Sequence, residues 1–324
     1  MQRPGQYVLI TPCRDEAAFA RRTLDSVVAQ TRRPDLWLVV DDGSTDATPA
    51  ILAEYAARHP WIRVLRREDR GRRSVGPGVI EAFDHGWNAV RDLGHEYLCK
   101  FDLDLELPPR YFELLLARFE ADPRLGTCSG KPWFVDEQGA LVSEGCGDEM
   151  SVGMTKLYRR SCFDAIGGFV HAVMWDGIDC HRCRMLGWKA ASFDDEELRF
   201  LHLRAMGSSD GGLWRGRVRH GRGQWFMGTG PLYMFASALF RMTRPPFVVG
   251  GFAMGWGYSR AAFERAPRYD DPEFRRFLRA YQLDALVRGK RAATERLDAR
   301  QAAAWSGGAP AHARAQSSSA GSTR

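Results

Sequence analysis

The chain predicts an α/β fold: a mostly parallel, twisted sheet flanked by helices, followed by a helical C-terminal extension that meets a membrane surface or packs on the core. Three observations carry this. Short apolar runs alternate with segments of helical period through the first 120 residues, the pattern of parallel strands joined by right-handed helical crossovers. Each run ends in polar residues, as strand tips do in open sheets, where ligands collect in the crevice outside the carboxyl ends. The composition, 44% hydrophobic and 27% charged over 324 residues, is ordinary for a globular protein and supports a substantial core.

The elements follow in order. Residues 7–11 form a short buried strand, and residues 16–30 carry Phe19, Leu24, Val27 and Val28 at helical spacing before Pro34 stops them. Residues 36–40 make the second strand. Thr48 as N-cap and Pro49 at the first helical position then open a helix with Ile51, Leu52 and Tyr55 on one face. Residues 62–65 are a third strand, and Val79, Ala82, Phe83, Gly86, Val90 and Leu93 keep a helical period up to Gly94. Residues 97–101 are a fourth strand, with a helix after Pro108-Pro109. Further on, the stretch through Arg182, Arg184 and Met185-Leu186 reads as an amphipathic helix ended by Gly187, with Asp176 at or just before its start.

Composition narrows the classes of function. No internal repeat, no G-x-G-x-x-G after the first strand and no G-x-x-x-x-G-K-[ST] loop is present, which disfavours dinucleotide dehydrogenases and P-loop enzymes. The apolar run at residues 7–10 is too short for a secretory signal, so a cytoplasmic protein, peripheral on the inner face of the membrane, is expected. Seven cysteines without regular spacing fit reduced thiols better than a disulfide framework. Cys180-His181-Arg182-Cys183 invites a metal or redox role, but no second Cys or His pair stands at zinc-ligand spacing. The net charge of +6 is concentrated: residues 201–244 hold seven arginines and one acid, 7 − 1 = +6. Such a stretch suits anionic lipid, a diphosphate or nucleic acid, and charge alone does not choose. Residues 301–324, rich in Ala, Ser, Gly and Arg, are expected to be a disordered tail.

Three constellations carry chemistry. Val40-Asp41-Asp42-Gly43-Ser44-Thr45-Asp46 is either a turn built from residues that favour turns or a pocket in which Asp42 and Ser44 bind a base or ribose. Asp102-Leu103-Asp104 ends an apolar strand preceded by Lys100. Strand side chains alternate, so both carboxylates share a side and suit one hard cation with substrate phosphates. A lone D-x-D also arises by chance. Asp176 stands at or just before a helix start, where it is either a cap or, facing the metal site, a general base. His202 is either a packed core histidine or a late metal ligand.

With Thr11-Pro12-Cys13-Arg14-Asp15-Glu16 in front of these motifs, and Asp176 ahead of Gly187-Trp188, the chain resembles the glycosyltransferase family 2 enzymes over roughly residues 6–205. The resemblance implies the GT-A fold and a nucleotide-diphospho-sugar donor, UDP-linked, with Mg2+ or Mn2+ as cofactor. It also implies a base-assisted in-line displacement that inverts the anomeric carbon. The residues it implies at the nucleotide are Pro12, Arg14, Glu16, Asp42, Ser44, Lys100 and Asp102. At the metal they are Asp104, Asp102 and His202, and Asp176 is the implied catalytic base. Trp175 and Asp179 are expected at the acceptor. Two positions depart from the family: Asp15 replaces the usual Asn, and Trp175 stands where Glu is frequent. An indole stacks on a sugar but accepts no proton.

The expected organisation is a catalytic domain at 1–212, a basic and apolar helical region at 213–290, and a mostly disordered tail at 291–324. Residues 225–242 and 247–258 are apolar segments separated by Arg244-Pro245-Pro246, each shorter than the run of about 20 that spans a bilayer. They either lie in the interface beside the arginines or form a helical subdomain on the sheet. Arg219, Arg222, Gln224 and Trp225 hold the residue types of the Q-x-x-R-W signature of processive synthases in the wrong order, which favours single-sugar transfer. The function expected is therefore inverting transfer of a sugar to a saccharide or lipid-linked acceptor in polysaccharide or glycoconjugate synthesis, with an anionic membrane surface as partner and no role for nucleic acid. A sugar nucleotidyltransferase would need a Gly-rich basic loop where residues 11–16 stand. A non-catalytic scaffold is the third alternative.

Overall fold

A computed structural model describes residues 3–69, 71, 76–204, 212–244 and 247–305. The elements run β1 (Arg3–Cys13), α1 (Ala17–Val28), β2 (Leu36–Asp41), α2 (Thr48–Arg58), β3 (Ile62–Arg66), α3 (Pro77–Val90), β4 (His95–Phe101), β5 (Leu105–Glu106), α4 (Tyr111–Ala121), β6 (Leu125–Ser129), β7 (Lys131–Val135), β8 (Leu141–Ser143), β9 (Thr155–Arg159), α5 (Arg160–Ile166), α6 (Trp175–Met185), β10 (Lys189–Ser192) and β11 (Arg199–His202). Five helices follow: α7 (Leu213–Met227), α8 (Pro231–Met242), α9 (Phe247–Phe263), α10 (Pro272–Arg288) and α11 (Lys290–Ala304).

The expected α/β class holds. A seven-stranded sheet in the order β10-β6-β9-β4-β1-β2-β3 is parallel except for β9, which runs antiparallel to both β4 and β6. Alternation along each strand divides the core between its two faces. Tyr7, Leu9, Trp37 and Val39 meet Leu24, Leu52, Phe112 and Leu115 on one side, and Val8, Ile10, Leu38 and Val40 meet Ile80, Phe83 and Phe163 on the other. A second, four-stranded sheet, β5-β11-β7-β8, stands beside the strand tips, and no periodicity in the sequence announced it. It brings β11 antiparallel to β5 just after the D-x-D segment, pairing His202 with Leu105.

Local chemistry differs from expectation at three places. Thr48 does not cap α2: the helix begins at Thr48 itself, and its hydroxyl accepts from the Glu16 N–H at 2.8 Å. The hydroxyl therefore joins the two strand-tip turns instead of closing its own helix. The apolar stretch 225–242 is not one element, because Gly228 takes φ +94° and Pro231 restarts the chain as α8. Residues 291–305 do not belong to a disordered tail. Helix α11 returns to the sheet, where Arg124 donates to the Asp298 carbonyl at 2.9 Å and Trp305 meets Trp188 with centroids 4.9 Å apart. Residues 306–324 lie outside those described.

Helices α7, α8 and α9 pack backbone to backbone. A Cβ on Gly221 would lie 2.0 Å from the Met254 carbonyl oxygen, one on Gly257 2.1 Å from that of Val218, and one on Gly251 2.2 Å from that of Ala238. Such contact leaves the large side chains facing outward. Leu232, Leu239, Phe240, Phe247, Val248 and Phe252 are all more than half exposed. Among the described residues no helix is long and apolar enough to cross a membrane.

Candidate active site

A cavity of about 650 Å³ lies at the carboxyl ends of β1, β2 and β4. Each strand contributes the residues that follow its last apolar position, and the start of α3, the segment 146–154, β11, α6 and α7 line the remaining sides.

The β1 tip supplies Pro12, Arg14 and Glu16. Asp15 between them adopts φ +54°, a left-handed conformation that Asp tolerates better than most residues. Its N–H donates to the Ser44 hydroxyl at 3.0 Å, and its carboxylate accepts from the Thr45 N–H at 2.7 Å. Arg14 crosses to the next tip, donating to the Asp42 carbonyl at 2.9 Å and to Asp69 at 2.6 Å.

The β2 tip separates into two roles. Asp42 lines the cavity and receives Arg67 at 2.8 Å. Asp41 is buried and accepts from the Ser44 N–H at 2.8 Å, while Asp46 accepts from the N–H groups of Ala17 and Thr48 at 3.0 and 2.9 Å. Gly43 takes φ +79°, and a Cβ there would lie 2.5 Å from the Asp69 Cα, so glycine is required on both counts. The nucleotide contact expected of Ser44 is corrected: its side chain is buried in the turn, occupied by Asp15, and does not line the cavity.

The β4 tip supplies Lys100, Asp102 and Asp104. Lys100 donates to Asp102 and, at 3.0 Å, to the Gly153 carbonyl. Burial and the neighbouring Asp104 charge push the Asp102 carboxyl up despite Lys100. Burial also disfavours ionised Asp104, but contact with His202 and the charges of Arg204 and Lys100 hold it below the ordinary range. His202 Nε2 stands 3.7 Å from Asp104, and its Nδ1 is held at 2.7 Å by Glu144. Burial opposes the imidazolium, yet these two carboxylates push the His202 pKa up to about 9. Arg204 joins the site by pairing with Glu16 and approaching Asp104 at 3.7 Å.

Asp176 enters from α6, at the second residue of the helix. Its N-cap is Met174 at φ +72°, a conformation that costs a non-glycine residue about 1–2 kcal/mol. Trp175 lines the cavity beside it and lies under Lys100 at 5.3 Å from the ring centroid. Asp179 does not reach the cavity, which corrects the acceptor role expected of it. It is one turn deeper and buried, with both carboxylate oxygens 2.6 Å from Lys156 Nζ and the Tyr158 hydroxyl donating to it. Cys180 and Cys183 face Ser151 and Cys162, whereas His181 packs on Tyr281; their side chains diverge.

The structure thus brings Pro12, Arg14, Glu16, Asp42, Lys100, Asp102, Asp104, Trp175, Asp176 and His202 around one space. Sequence reasoning missed Glu144 and Arg204, and also Arg217, Arg219 and His220 of α7, which line the same cavity. Burial, then the charge of Arg217, pushes the His220 pKa down to about 4. The i, i+3, i+7 spacing of Arg217, His220 and Gln224 was a legible sign of a shared face, and Gln224 does approach His220 at 3.2 Å. Glu144 carried no such sign.

Donor chemistry decides whether a metal fits. Among the described residues no group of three His, Cys, Asp or Glu side chains forms a metal cage. Mg2+ and Mn2+ commonly take only one or two carboxylates and complete their shell with phosphates and water. Asp104 would supply one such carboxylate, and His202 Nε2, once its proton is displaced, an imidazole beside it that Glu144 holds from behind.

A family model described as glycosyl transferase family 2 matches residues 8–171, half of the chain. A poly-beta-1,6-N-acetyl-D-glucosamine synthase from Staphylococcus epidermidis is 23% identical over 232 residues, covering 65% of this chain and 52% of the relative. Chondroitin synthase from Escherichia coli is 30% identical over 145 residues, covering 45% of this chain and 20% of the relative. The chain thus spans about half the length, or less, of these curated relatives. Among solved structures, GalNAc-T7 with UDP, GalNAc and Mn2+ superposes with a TM-score of 0.57 at 16% identity, covering 90% of this chain and 56% of that one; the likeness is one of fold. With the GT-A architecture in place and the family match spanning its strand-tip motifs, the chain belongs to glycosyltransferase family 2.

Proposed function

We propose that the chain moves a sugar from a nucleotide-diphospho-sugar, UDP-linked, to an acceptor hydroxyl with inversion, Asp176 acting as general base. The observation that carries this is the convergence of Asp42, Asp102, Asp104 and Asp176, from three separate segments, on one cavity of about 650 Å³. Pro12, Arg14, Glu16 and Asp42 form the nucleoside end in this proposal. Asp104 and His202, with Asp102 beside them, would hold Mg2+ or Mn2+. When bound, the ion neutralises the departing diphosphate. Asp176 takes the acceptor proton as the acceptor oxygen attacks the anomeric carbon, and the nucleoside diphosphate leaves with the bonding pair. Trp175 offers the sugar an apolar wall. The basic groups of α7 complement developing negative charge.

The acceptor is saccharide or lipid-linked, and we place the reaction at an anionic membrane surface. The outward faces of α8 and α9 support this, being apolar and bordered by Arg244, which lies over Phe240, and Arg260. An exposed apolar surface of this kind marks an interaction site, and guanidinium groups suit acidic headgroups.

The test is a screen of UDP- and GDP-sugars with Mg2+ or Mn2+ for thermal stabilisation and for donor hydrolysis. At least one donor should stabilise the protein in a metal-dependent way. Asp176→Asn should keep that stabilisation and lose transfer, whereas Asp104→Ala should lose both. If no donor stabilises the wild-type chain, the proposal fails. Flotation with anionic liposomes tests the membrane surface, and absence of binding at low salt rejects it.

A further inference from the structure

A second cavity, of about 580 Å³, adjoins the first on the α7 side. Its wall is apolar, formed by Val173, Val218, Trp225, Phe226 and Pro267. Arg219 lines both cavities, and Pro77 and Val173 in the second are chain neighbours of Gly78 and Met174 in the first. The far end opens toward the exposed face of α9: Trp214 lines the cleft, and its ring lies 6.2 Å from that of Phe252, itself 56% exposed. Arg215 and Arg222 also line it, Arg222 with Glu264 at 3.0 Å.

We propose that this cleft holds the hydrocarbon chain of the acceptor, an anionic lipid whose phosphate meets Arg219 and Arg215 and whose headgroup hydroxyl reaches Asp176. This rests on the sugar-transfer proposal above and names its acceptor class. Three features select one occupant. A saccharide would leave an apolar wall of this size unmatched, since apolar surface gains only by leaving water. A neutral lipid would forgo the charge complementarity that Arg215 and Arg219 offer a phosphate at the rim of the cleft. Trp214, which lines the cleft and meets the exposed Phe252 of α9, makes the cleft continuous with the exposed α8–α9 apolar face. Chemically, the headgroup oxygen forms a bond to the anomeric carbon, the bond from that carbon to the diphosphate oxygen breaks, and the hydroxyl proton passes to Asp176. The nucleoside diphosphate departs with the electron pair.

The probe is decyl phosphate below its micelle concentration, titrated by tryptophan fluorescence and by thermal shift. Decanol and inorganic phosphate are the comparison arms, and the donor found in the screen is run in parallel. Decyl phosphate should bind saturably, at least tenfold more tightly than decanol, and inorganic phosphate should do neither. Ala172→Trp, which fills the cleft, should weaken decyl phosphate at least tenfold while leaving nucleotide stabilisation unchanged; Val218→Phe is a second filling variant if the first does not fold. Equal binding of decyl phosphate by wild type and the filled variants overturns the cleft assignment, as does no binding to a wild type that still responds to nucleotide. Equal binding of decanol overturns the anionic part. Failure of every nucleotide to stabilise the wild type strikes the sugar-transfer proposal, a different result from either.

Discussion

Replacing Asp179 by alanine separates a structural role from a role at the acceptor. Lys156 is wholly buried, with Asp179 2.6 Å from its ammonium through both carboxylate oxygens and the Asp176 carbonyl at 2.8 Å. Burial opposes the charge on Lys156, yet Asp179 holds its pKa above the ordinary lysine value. Removing the carboxylate leaves an ammonium in the core with one backbone oxygen and the Cys180 sulfur at 3.3 Å, and breaking a buried pair in this way costs about 3–5 kcal/mol. A domain of this size loses roughly 2–4 °C per kcal/mol, so Asp179→Ala should melt roughly 6–20 °C lower by differential scanning calorimetry. The double variant Lys156→Met, Asp179→Leu removes both charges and should recover much of that loss. An acceptor-binding Asp179 would behave in the opposite way, with unchanged melting and a raised KM for acceptor. A single variant within about 1 kcal/mol of wild type would refute the buried-pair argument.

Three further outcomes follow from particular contacts. Burial pushes the His95 pKa down to about 4, and both ring nitrogens lack a partner among the described residues. At this position the unfolded chain takes up a proton near 6.5 while the folded one does not until about 4, so His95 should contribute a loss of stability as the pH falls through that window, of about 1.4 kcal/mol per unit at most, in addition to the share of His181 and His220. His95→Phe, which keeps the edge contact with Trp87 at 5.6 Å, should flatten that slope in urea titrations at pH 7, 6 and 5. Gly221→Ala places a methyl 2.0 Å from the Met254 carbonyl oxygen and should cost at least about 1–3 kcal/mol, seen as a lower melting temperature by circular dichroism. Glu144→Gln weakens the brace on His202 and should reduce Mn2+ affinity about 10–100-fold by calorimetry, without lowering the melting temperature of the metal-free protein by more than a few degrees.

The first four strands and the helices that follow them were legible because their pattern is local: apolar runs of strand length, then helical period, then a stop. What pairs with what is not local. Strand β9 contains Thr155, Lys156, Leu157, Tyr158 and Arg159, a mixture that no window distinguishes from a loop, yet it is an interior strand of the sheet, with Leu157 in register with both Cys99 and Cys128. The same limit governs the site. Strand tips advertise their carboxylates, so Asp42, Asp102 and Asp104 could be read directly, and Asp176 followed from its place at a helix start. Proximity along the chain then misled: Asp179 is three residues from Asp176, but a helix carries it about 4.5 Å inward, under β9.

The basic stretch shows how a tertiary contact changes the meaning of a sequence feature. Counted along the chain, the arginines of residues 201–244 suggested a surface for membranes or phosphates. In the fold they divide. Arg204 pairs with Glu16 inside the site, Arg217 and Arg219 line the cavity wall from α7, and Arg222 pairs with Glu264. Arg241 turns inward, where its charge acts on Arg217 and His220, and Arg244 alone of the two borders the outward face of α8, over Phe240. What separates them is the close approach of α7 to α9 at Gly221 and Gly257, where carbonyl oxygens occupy the space of a side chain. That approach turns the basic face of α7 toward the strand tips and the aromatic faces of α8 and α9 toward solvent. Guanidinium groups and exposed apolar surface are thereby set on either side of one helix pair. Under the proposed lipid acceptor, a Cβ at either glycine disturbs both, so Gly221→Ala should weaken decyl phosphate binding as well as lower stability.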